Sequence, residues 1–261
     1  MLHYRIIESG NQDWVVFIHP LGGSSATFHN QIREFKNEFN LLLIDLHGHG
    51  KSIKGIDGLL FEDTGRDILN VLDEVGIKSA HFVGMCLGNV ILDIVYKLDS
   101  SRFYSIVYGA AVKEINPFNR TLLKIGHVMK NIMPHDVLYS LFALLMMPRK
   151  NHKEARMLFI REAKKMKRND FLDWYNLIMA SQDFYENFEN SNDDLNKLYI
   201  FGSEDHLFIS KAQGYVDKDN NARLHIIDDV GHMCNVEGSK EFNDQAISFI
   251  KNQEESTKIT H

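Results

Sequence analysis

One cysteine of the chain stands where its neighbours favour a nucleophile. Cys86 is the centre of the pentapeptide Gly84-Met85-Cys86-Leu87-Gly88, which follows the apolar run Ala80–Val83 and opens the helix-like stretch Asn89–Leu98. A tight turn between a strand and a helix holds its central residue in a strained conformation, clear of other side chains, and the flanking glycines let both elements approach. We therefore predict that the thiolate of Cys86 attacks an acyl group.

A thiol needs a base that removes its proton, and the chain offers a histidine after its last predicted strand. We predict that His232 is this base. Its other ring nitrogen needs an acceptor, which is expected after the preceding strand, where Asp205 lies. Glu204 is the nearest competitor for this role, and Glu114 is a more distant one. In the structural alternative, His232 caps a strand end and Asp205 is an ordinary turn residue.

Acyl transfer also requires hydrogen-bond donors for the negative oxygen that develops on the carbonyl. The backbone N–H of Leu87 is one predicted donor, because it lies at the start of the helix after the nucleophile, where the helix dipole favours negative charge. The second donor is expected from the loop His19–Gly23. Pro20 has no N–H, which leaves Leu21 as the predicted donor. His19 either takes part in this function or simply stabilises the loop.

These residues must be positioned by strands and helices that alternate along the chain. The predicted strands are Leu2–Ile7, Trp14–Ile18, Leu41–Ile44, Ala80–Val83, Ser105–Tyr108, Leu198–Phe201 and Arg223–Ile227, the first two flanking a turn at Ser9–Asn11. The predicted helices are Ser25–Phe39, Phe61–Val75, Asn89–Leu98 and Ser239–Ile250. Short continuous apolar runs indicate strands covered on both faces, so we predict an α/β fold with a doubly wound, mostly parallel sheet.

The alternation stops between about Val112 and Asn190. This stretch has several helical patterns, a single glycine and seven of the ten methionines. We predict a helical cap over residues 112–190, inserted into a core formed by residues 1–111 and 191–251, with a disordered tail over 252–261. Methionine and aromatic side chains suit an adaptable apolar pocket wall. They could equally form the cap's own core.

Composition places the chain among ordinary globular proteins and restricts its partners. Of 261 residues, 44% are hydrophobic and 25% are charged, and the two cysteines provide no disulfide framework. No apolar run is long enough to span a membrane, and Met1–Arg5 does not resemble the start of a signal peptide. We therefore expect a cytoplasmic protein without stable membrane insertion. The net charge of −6 argues against nucleic-acid binding.

This net charge is unevenly distributed. The segment Lys113–Arg168 has thirteen Lys and Arg against four Asp and Glu, a balance of +9 that leaves −15 for the rest of the chain. The segment is either a solvated helical surface or a cationic region that attracts anionic ligands. Within it, Lys153–Arg168 has the pattern of a basic amphipathic helix, which could touch a membrane surface.

Two further motifs do not support a cofactor or metal. Gly48–Ser52 is similar to the end of a phosphate-binding loop, but Asp45 occupies the position of the required earlier glycine. His232 and Cys234 are two residues apart, yet no additional ligands recur at a spacing typical of zinc sites. We expect the protein to use neither a cofactor nor a metal ion.

Taken together, the motifs resemble the α/β-hydrolase superfamily from the first strand to Ile250. The order of nucleophile, acid and histidine is that of this superfamily, and the loop Asp45–Ser52 matches a further landmark. The overall likeness is to capped esterases and meta-cleavage-product hydrolases. Two positions depart from the usual pattern: Pro20 replaces part of a His-Gly pair, and Cys86 replaces serine. Cysteine at this position resembles dienelactone hydrolases and polyhydroxyalkanoate synthases, although the chain is shorter than the synthases and its cap is larger than that of the lactone hydrolases.

The resemblance implies an acyl hydrolase that acts on a small apolar ester, thioester or lactone through Cys86, His232 and Asp205. An acyltransferase with the same triad is one alternative, because a cysteine acyl-enzyme is itself a thioester. A ligand-binding protein that kept the pocket and lost turnover is another. A serine exchanged for cysteine by engineering would leave the same motif. The expected partner is a small acyl substrate, and a homodimer is compatible with the sequence.

Overall fold

Seven strands form a single mixed sheet in a computed structural model that describes residues 1–52, 58, 60–113, 116–180 and 194–258. The strands are β1 (Tyr4–Ile7), β2 (Trp14–Ile18), β3 (Asn40–Ile44), β4 (Ala80–Met85), β5 (Phe103–Gly109), β6 (Asn196–Gly202) and β7 (Ala222–Ile227). Their order across the sheet is β1-β3-β2-β4-β5-β6-β7. Only the β1–β3 pair is antiparallel. The predicted fold class is confirmed.

The first two strands do not pair with each other, although a short turn joins them. β3 lies between them, antiparallel to β1 and parallel to β2. Asn40, at the start of β3, contacts the turn between β1 and β2. Its side chain accepts a hydrogen bond from the N–H of Ser9 at 2.8 Å and donates one to the carbonyl of Asn11 at 2.5 Å. The turn is therefore attached to the strand that separates its two arms.

Helices cover both faces of the sheet. They are α1 (His29–Phe35), α2 (Phe61–Val75), α3 (Leu87–Leu98), α4 (Pro117–Met129), α5 (His135–Met146), α6 (Lys153–Ala163), α7 (Arg168–Ala180), α8 (Ala212–Val216), α9 (Cys234–Glu237) and α10 (Ser239–Lys258). Residues of α1 and α10 belong to the hydrophobic core on one face, and those of α2 and α3 to the core on the other. None of the described helices is long and apolar enough to cross a membrane.

Strand β2 shows why the central strands are continuously apolar. Val15 and Phe17 pack in one core, whereas Val16 and Ile18 pack in the other. Side chains of a strand point alternately to the two faces, and both faces are covered here, so the four positions from Val15 to Ile18 are all buried and apolar. The apolar run that predicted this strand follows from that double coverage.

The cap helices α4–α7 all lie between β5 and β6, within the region predicted as an insertion. Asn116 caps α4 by accepting a hydrogen bond from the N–H of Asn119, and Pro117 takes the first helical turn. The boundary at residue 190 falls outside the described residues. At the other end of the chain, α10 continues to Lys258, so the tail predicted from residue 252 begins inside this helix.

Candidate active site

Cys86 occupies a strained turn between β4 and α3. Its φ of 49° and ψ of −111° are uncommon for a residue with a side chain. The neighbouring glycines are required by close packing: a Cβ at Gly88 would lie 2.2 Å from the carbonyl oxygen of Ile18, and one at Gly84 would lie 2.4 Å from Oδ1 of Asn89. Any larger residue at these positions would push strand and helix apart. The motif Gly84–Gly88 thus forms the tight turn between strand and helix that the sequence predicts.

His232 and Asp205 lie together, as predicted, and neither is accessible to solvent. The Nδ1 atom of His232 is 2.8 Å from Oδ2 of Asp205. The competing Glu204 instead bonds side chains of the cap, including Nε2 of His152 at 2.6 Å. Glu114 lies outside the described residues. Asp205 is therefore the carboxylate that orients the ring of His232.

The opposite edge of the His232 ring faces Cys86. Burial alone would lower the pKa of His232, but electrostatic and hydrogen-bond interactions with Asp205 and Cys86 outweigh burial and raise this pKa well above its ordinary value. The Nε2 atom is buried and lies on the side of the ring that interacts with Cys86. The ring is thus held between Asp205 and Cys86, and its role as the base stays a prediction.

Hydrogen bonds of two histidines hold the loop His19–Gly23 in place. His19 contacts the carbonyl of Pro20 through Nδ1 at 2.8 Å and accepts a hydrogen bond from the N–H of Leu46 at 2.9 Å. His49 accepts one from the N–H of Gly22, also at 2.9 Å. Burial lowers the pKa of both histidines, which favours the neutral rings that these bonds require. His19 thus stabilises the loop, which was one of the two interpretations of the sequence.

The two predicted oxyanion donors flank the nucleophile. Leu87 is the first residue of α3, so its N–H has no acceptor within the helix. In the described part of the chain, no hydrogen bond is made by the N–H of Leu21. Leu21, Cys86 and Leu87 all line the same cavity. Their roles as donors stay a prediction.

A cap residue that the sequence analysis missed touches this loop. The hydroxyl of Tyr139, in α5, donates a hydrogen bond to the carbonyl of Leu21 and lies against Gly22. Burial, and secondarily the charge of Cys86, raise the pKa of Tyr139 well above its ordinary value. This tyrosine is therefore a neutral donor close to the nucleophile. Tyr139 lies 118 residues from Leu21 along the chain, so no local sequence pattern pointed to this contact.

An apolar cavity of about 260 Å³ lies between Cys86 and the cap. Its lining comprises Leu21, Cys86, Leu87, Val90, Val112, Asn119, Leu122, Leu123, Ile125, Gly126, Met129, Leu138, Tyr139, Leu141, Phe142, Leu145, Met146, Phe159, Phe171, Tyr175, Ile178, Leu207 and Phe208. Of the seven cap methionines, Met129 and Met146 line it. Others, such as Met147 and Met166, are buried in the core, whereas Met157 is exposed. The cap therefore supplies both a pocket wall and its own core.

The second cysteine lies apart from this chemistry. Cys234 is fully buried, its Sγ atom lies 3.6 Å from the carbonyl oxygen of Ile200, and burial raises its pKa far above the ordinary value. Among the described residues, no group of three or more His, Cys, Asp and Glu side chains could hold a metal ion.

In the loop after β3, the carboxylate of Asp45 accepts hydrogen bonds from the N–H groups of Ser25 and Lys51. A carboxylate of the chain itself thus occupies the loop that is similar to a phosphate-binding loop.

Comparisons with known proteins identify relatives of the chain. A model described as "Alpha/beta hydrolase family" matches residues 15–245. 3-oxoadipate enol-lactonase 1 from Acinetobacter baylyi is 29% identical over 114 residues, or 44% of this chain and 42% of the lactonase. The match thus spans less than half of that relative. A 2-hydroxy-6-oxononadienedioate/2-hydroxy-6-oxononatrienedioate hydrolase from Burkholderia vietnamiensis is 24% identical, over 96% of this chain and 91% of the hydrolase.

Solved structures show the same fold at low sequence identity. An esterase from Exiguobacterium antarcticum superposes with a TM-score of 0.83 at 13% identity, and the match covers 96% of this chain and 95% of the esterase. At this identity the likeness concerns the backbone. It therefore shows the fold alone.

Proposed function

The chain belongs to the α/β-hydrolase family, and from that premise we propose that it is a cysteine-dependent acyl hydrolase acting on esters, thioesters or lactones with an uncharged apolar acyl group. The observation that carries the proposal is the position of Cys86. Its side chain lies on a strained turn, at the wall of an apolar cavity, facing the buried His232–Asp205 pair. Nucleophile, base and acyl-binding space therefore meet at one point.

In the first step, His232 takes the proton of the Cys86 thiol through Nε2, and the sulfur attacks the carbonyl carbon of the substrate. The negative oxygen that forms accepts hydrogen bonds from the N–H groups of Leu21 and Leu87. When the carbonyl reforms, the bond to the leaving group breaks. The imidazolium of His232 returns its proton to the departing alcohol, thiol or lactone oxygen, and Cys86 remains acylated.

In the second step, His232 takes a proton from water, and the resulting hydroxide attacks the thioester carbonyl. The carbon–sulfur bond breaks, the carboxylic acid leaves, and the proton on His232 returns to the sulfur of Cys86. Asp205 keeps the ring oriented and stabilises its positive charge in both steps. No cofactor is needed, since every proton and bond is accounted for by the triad, the substrate and water.

The cavity determines which acyl groups fit. The described residues that line it include no Lys or Arg, and the hydroxyls of Tyr139 and Tyr175 are both occupied by backbone carbonyls. A carboxylate buried there would lack a counter-charge, which costs several kcal/mol. The relative from Burkholderia vietnamiensis is named for a dioate. We propose that this chain instead prefers an acyl chain without a terminal charge.

The test is intact mass spectrometry of the protein after brief incubation with p-nitrophenyl hexanoate and with a hexanoyl thioester. We expect one added acyl group, located on Cys86 by peptide mapping and absent in Cys86→Ala. Cys234→Ala is the matched control and should keep the adduct. We also expect kcat/KM to fall by at least about a thousandfold in Cys86→Ala, with unchanged thermal stability.

Three other outcomes would contradict parts of the proposal. An adduct that persists in water and is discharged only by an added alcohol or thiol would indicate a transferase. Acylation that survives in Cys86→Ala would remove Cys86 from the nucleophile role. If no adduct and no turnover are seen while the esters still bind, the protein is a binding protein. Iodoacetamide provides an independent check, because it should label Cys86 and spare the buried Cys234.

A further inference from the structure

The outer surface of the cap exposes large apolar side chains in an ordered pattern. On α4 and just beyond it, exposed residues recur at helical spacing along one side, and α5 has a similar stripe. We call them together the cap patch: Phe118, Ile125, Val128, Ile132, Val137, Leu141, Leu144 and Leu145. Single exposed apolar residues are common on protein surfaces, whereas a continuous group of this kind marks a binding surface.

The cap patch reaches the apolar cavity. Ile125 from α4 and Leu141 and Leu145 from α5 line the cavity and are also exposed to solvent. The two stripes therefore meet where the cavity opens. An apolar molecule could pass from a medium in contact with the cap patch to Cys86 without crossing water.

Basic side chains lie beside this surface. Helix α6 packs against α5, and its exposed side carries Lys153, Glu154 and Arg161 around Met157, with Lys164 directly after its end. Arg161 also pairs with Glu162 at 3.4 Å. Several other basic residues of the cap are occupied internally: for example, Lys113 pairs with Asp93 at 3.1 Å. The positive charge available to a partner is thus concentrated on α6 and its C-terminal end.

We propose that the cap patch docks on the surface of an anionic lipid bilayer and that apolar substrates enter the cavity from it. Aliphatic side chains enter the lipid headgroup region, and neighbouring lysines and arginines are attracted to anionic headgroups. The charge distribution also orients the molecule, because the predicted cap, residues 112–190, carries +4 whereas the rest of the chain carries −10. An anionic surface attracts the cap and repels the core.

A second copy of the chain fits the same surface less well. A dimer formed through the cap patch would cover the mouth of the cavity and would bring two positively charged caps together.

The docking of the cap patch on a bilayer does not rest on the proposed function. Only the entry of substrate from the bilayer does, so binding to vesicles can be measured without any substrate.

The experiment is co-sedimentation of the full chain with vesicles of phosphatidylcholine alone or of equal parts phosphatidylcholine and phosphatidylglycerol. We expect binding to the mixed vesicles, weakening as salt is added, and at least tenfold weaker binding to phosphatidylcholine alone. The variant Val128→Ser/Leu144→Ser, which changes patch residues outside the cavity lining, should bind the mixed vesicles at least tenfold more weakly. Leu60→Ser/Ile226→Ser changes similarly exposed core residues and should bind like the unmodified protein.

A charge variant tests the second part of the surface. Lys153→Glu/Lys164→Glu should lose binding to mixed vesicles by about fivefold or more for each reversed charge, whereas the exposed core variant Lys78→Glu should not. Thermal melts confirm that each variant is folded. Absence of vesicle binding, or equal losses in patch and control variants, would overturn the proposal. So would a dimer that the Val128→Ser/Leu144→Ser variant converts to monomer, with no vesicle binding in either form.

Discussion

The chemistry proposed for Cys86 depends on a backbone conformation that is costly in isolation. A residue held at positive φ loses about 1–3 kcal/mol unless the surrounding structure enforces it. Here the N–H of Cys86 donates to the carbonyl of Gly109 at 3.0 Å, and the side-chain amide of Asn89 donates to the same carbonyl at 2.8 Å. The turn is thereby attached to the neighbouring strand on both sides of the sulfur.

Tyr139 allows a prediction at this scale. Its hydroxyl holds the carbonyl of Leu21 and so positions the predicted oxyanion loop. Tyr139→Phe should lower kcat about tenfold, the loss of roughly 1.4 kcal/mol of transition-state stabilisation, with KM changed less than twofold. Steady-state kinetics with p-nitrophenyl hexanoate measures both.

Tyr175→Phe is the matched control for this variant. Tyr175 also lines the cavity, and its hydroxyl also donates to a backbone carbonyl, that of Leu123, but this carbonyl lies within the cap. The variant Tyr175→Phe should therefore retain kcat within about twofold. An equal decrease of kcat in both variants would mean that Tyr139 only supports the packing of the cap.

At the scale of whole elements, the cap is held to the core by hydrogen bonds that cross between them. The indole N–H of Trp174 in α7 donates to the carbonyl of His47 at 2.8 Å, and the side-chain amide of Asn119 in α4 donates to that of Leu207 at 2.9 Å. The carboxylate of Glu204 accepts hydrogen bonds from the cap residues Arg149 and Asn151 and contacts the ring of His152. The carboxylate that competed for a catalytic role thus has a structural one.

Removing this carboxylate should loosen the cap. In Glu204→Ala, the buried ring of His152 loses its charged acceptor, so we expect the free energy of unfolding to fall by about 2 kcal/mol and the Tm by roughly 4–8 °C. Thermal denaturation followed by circular dichroism measures the change.

A second His–Glu pair gives the comparison. His225 and Glu241 are 2.7 Å apart, but the Glu241 side chain is 50% exposed. Because exposed ion pairs contribute little, Glu241→Ala should lower the free energy of unfolding by less than about 1 kcal/mol. Similar losses in the two variants would show that Glu204 does not anchor the cap.

For the whole molecule, buried histidines couple stability to pH. Burial lowers the pKa of His19, His49 and His81, the last to about 4. The unfolded chain binds protons at these rings from about pH 6.5 downward, whereas the folded protein does not. Their contribution is therefore present above about pH 6.5 and is lost as the pH falls toward 4.

His81 offers the clearest measurement of this effect. In the folded protein the ring of His81, in β4, lies 2.8 Å from the hydroxyl of Ser105 in the neighbouring strand β5. Urea unfolding at a series of pH values should show a stability loss between pH 6.5 and 4 to which His81 contributes about 3 kcal/mol. His81→Gln should flatten this part of the curve, whereas His225→Gln, which changes a partly exposed ring, should not. An unchanged slope in His81→Gln would contradict the assignment.

The sequence by itself determined those features that depend on residues close together in the chain. The alternation of apolar runs predicted the doubly wound sheet, and the glycines around Cys86 predicted its turn, because local sterics alone require them. The same local patterns identified the family, and this resemblance is confirmed. The order of Cys86, Asp205 and His232 along strand ends sufficed to predict their meeting at one edge of the sheet.

Only the tertiary structure decided which of several similar residues meet. Asp205 and Glu204 are adjacent in sequence, yet one faces His232 and the other the cap, because the turn after β6 directs their side chains to opposite partners. The contact of Tyr139 with the Leu21 loop and the separation of lining from core methionines likewise join segments far apart in the chain. Such contacts depend on how helices pack across a cavity, and short-range patterns contain no information about that packing.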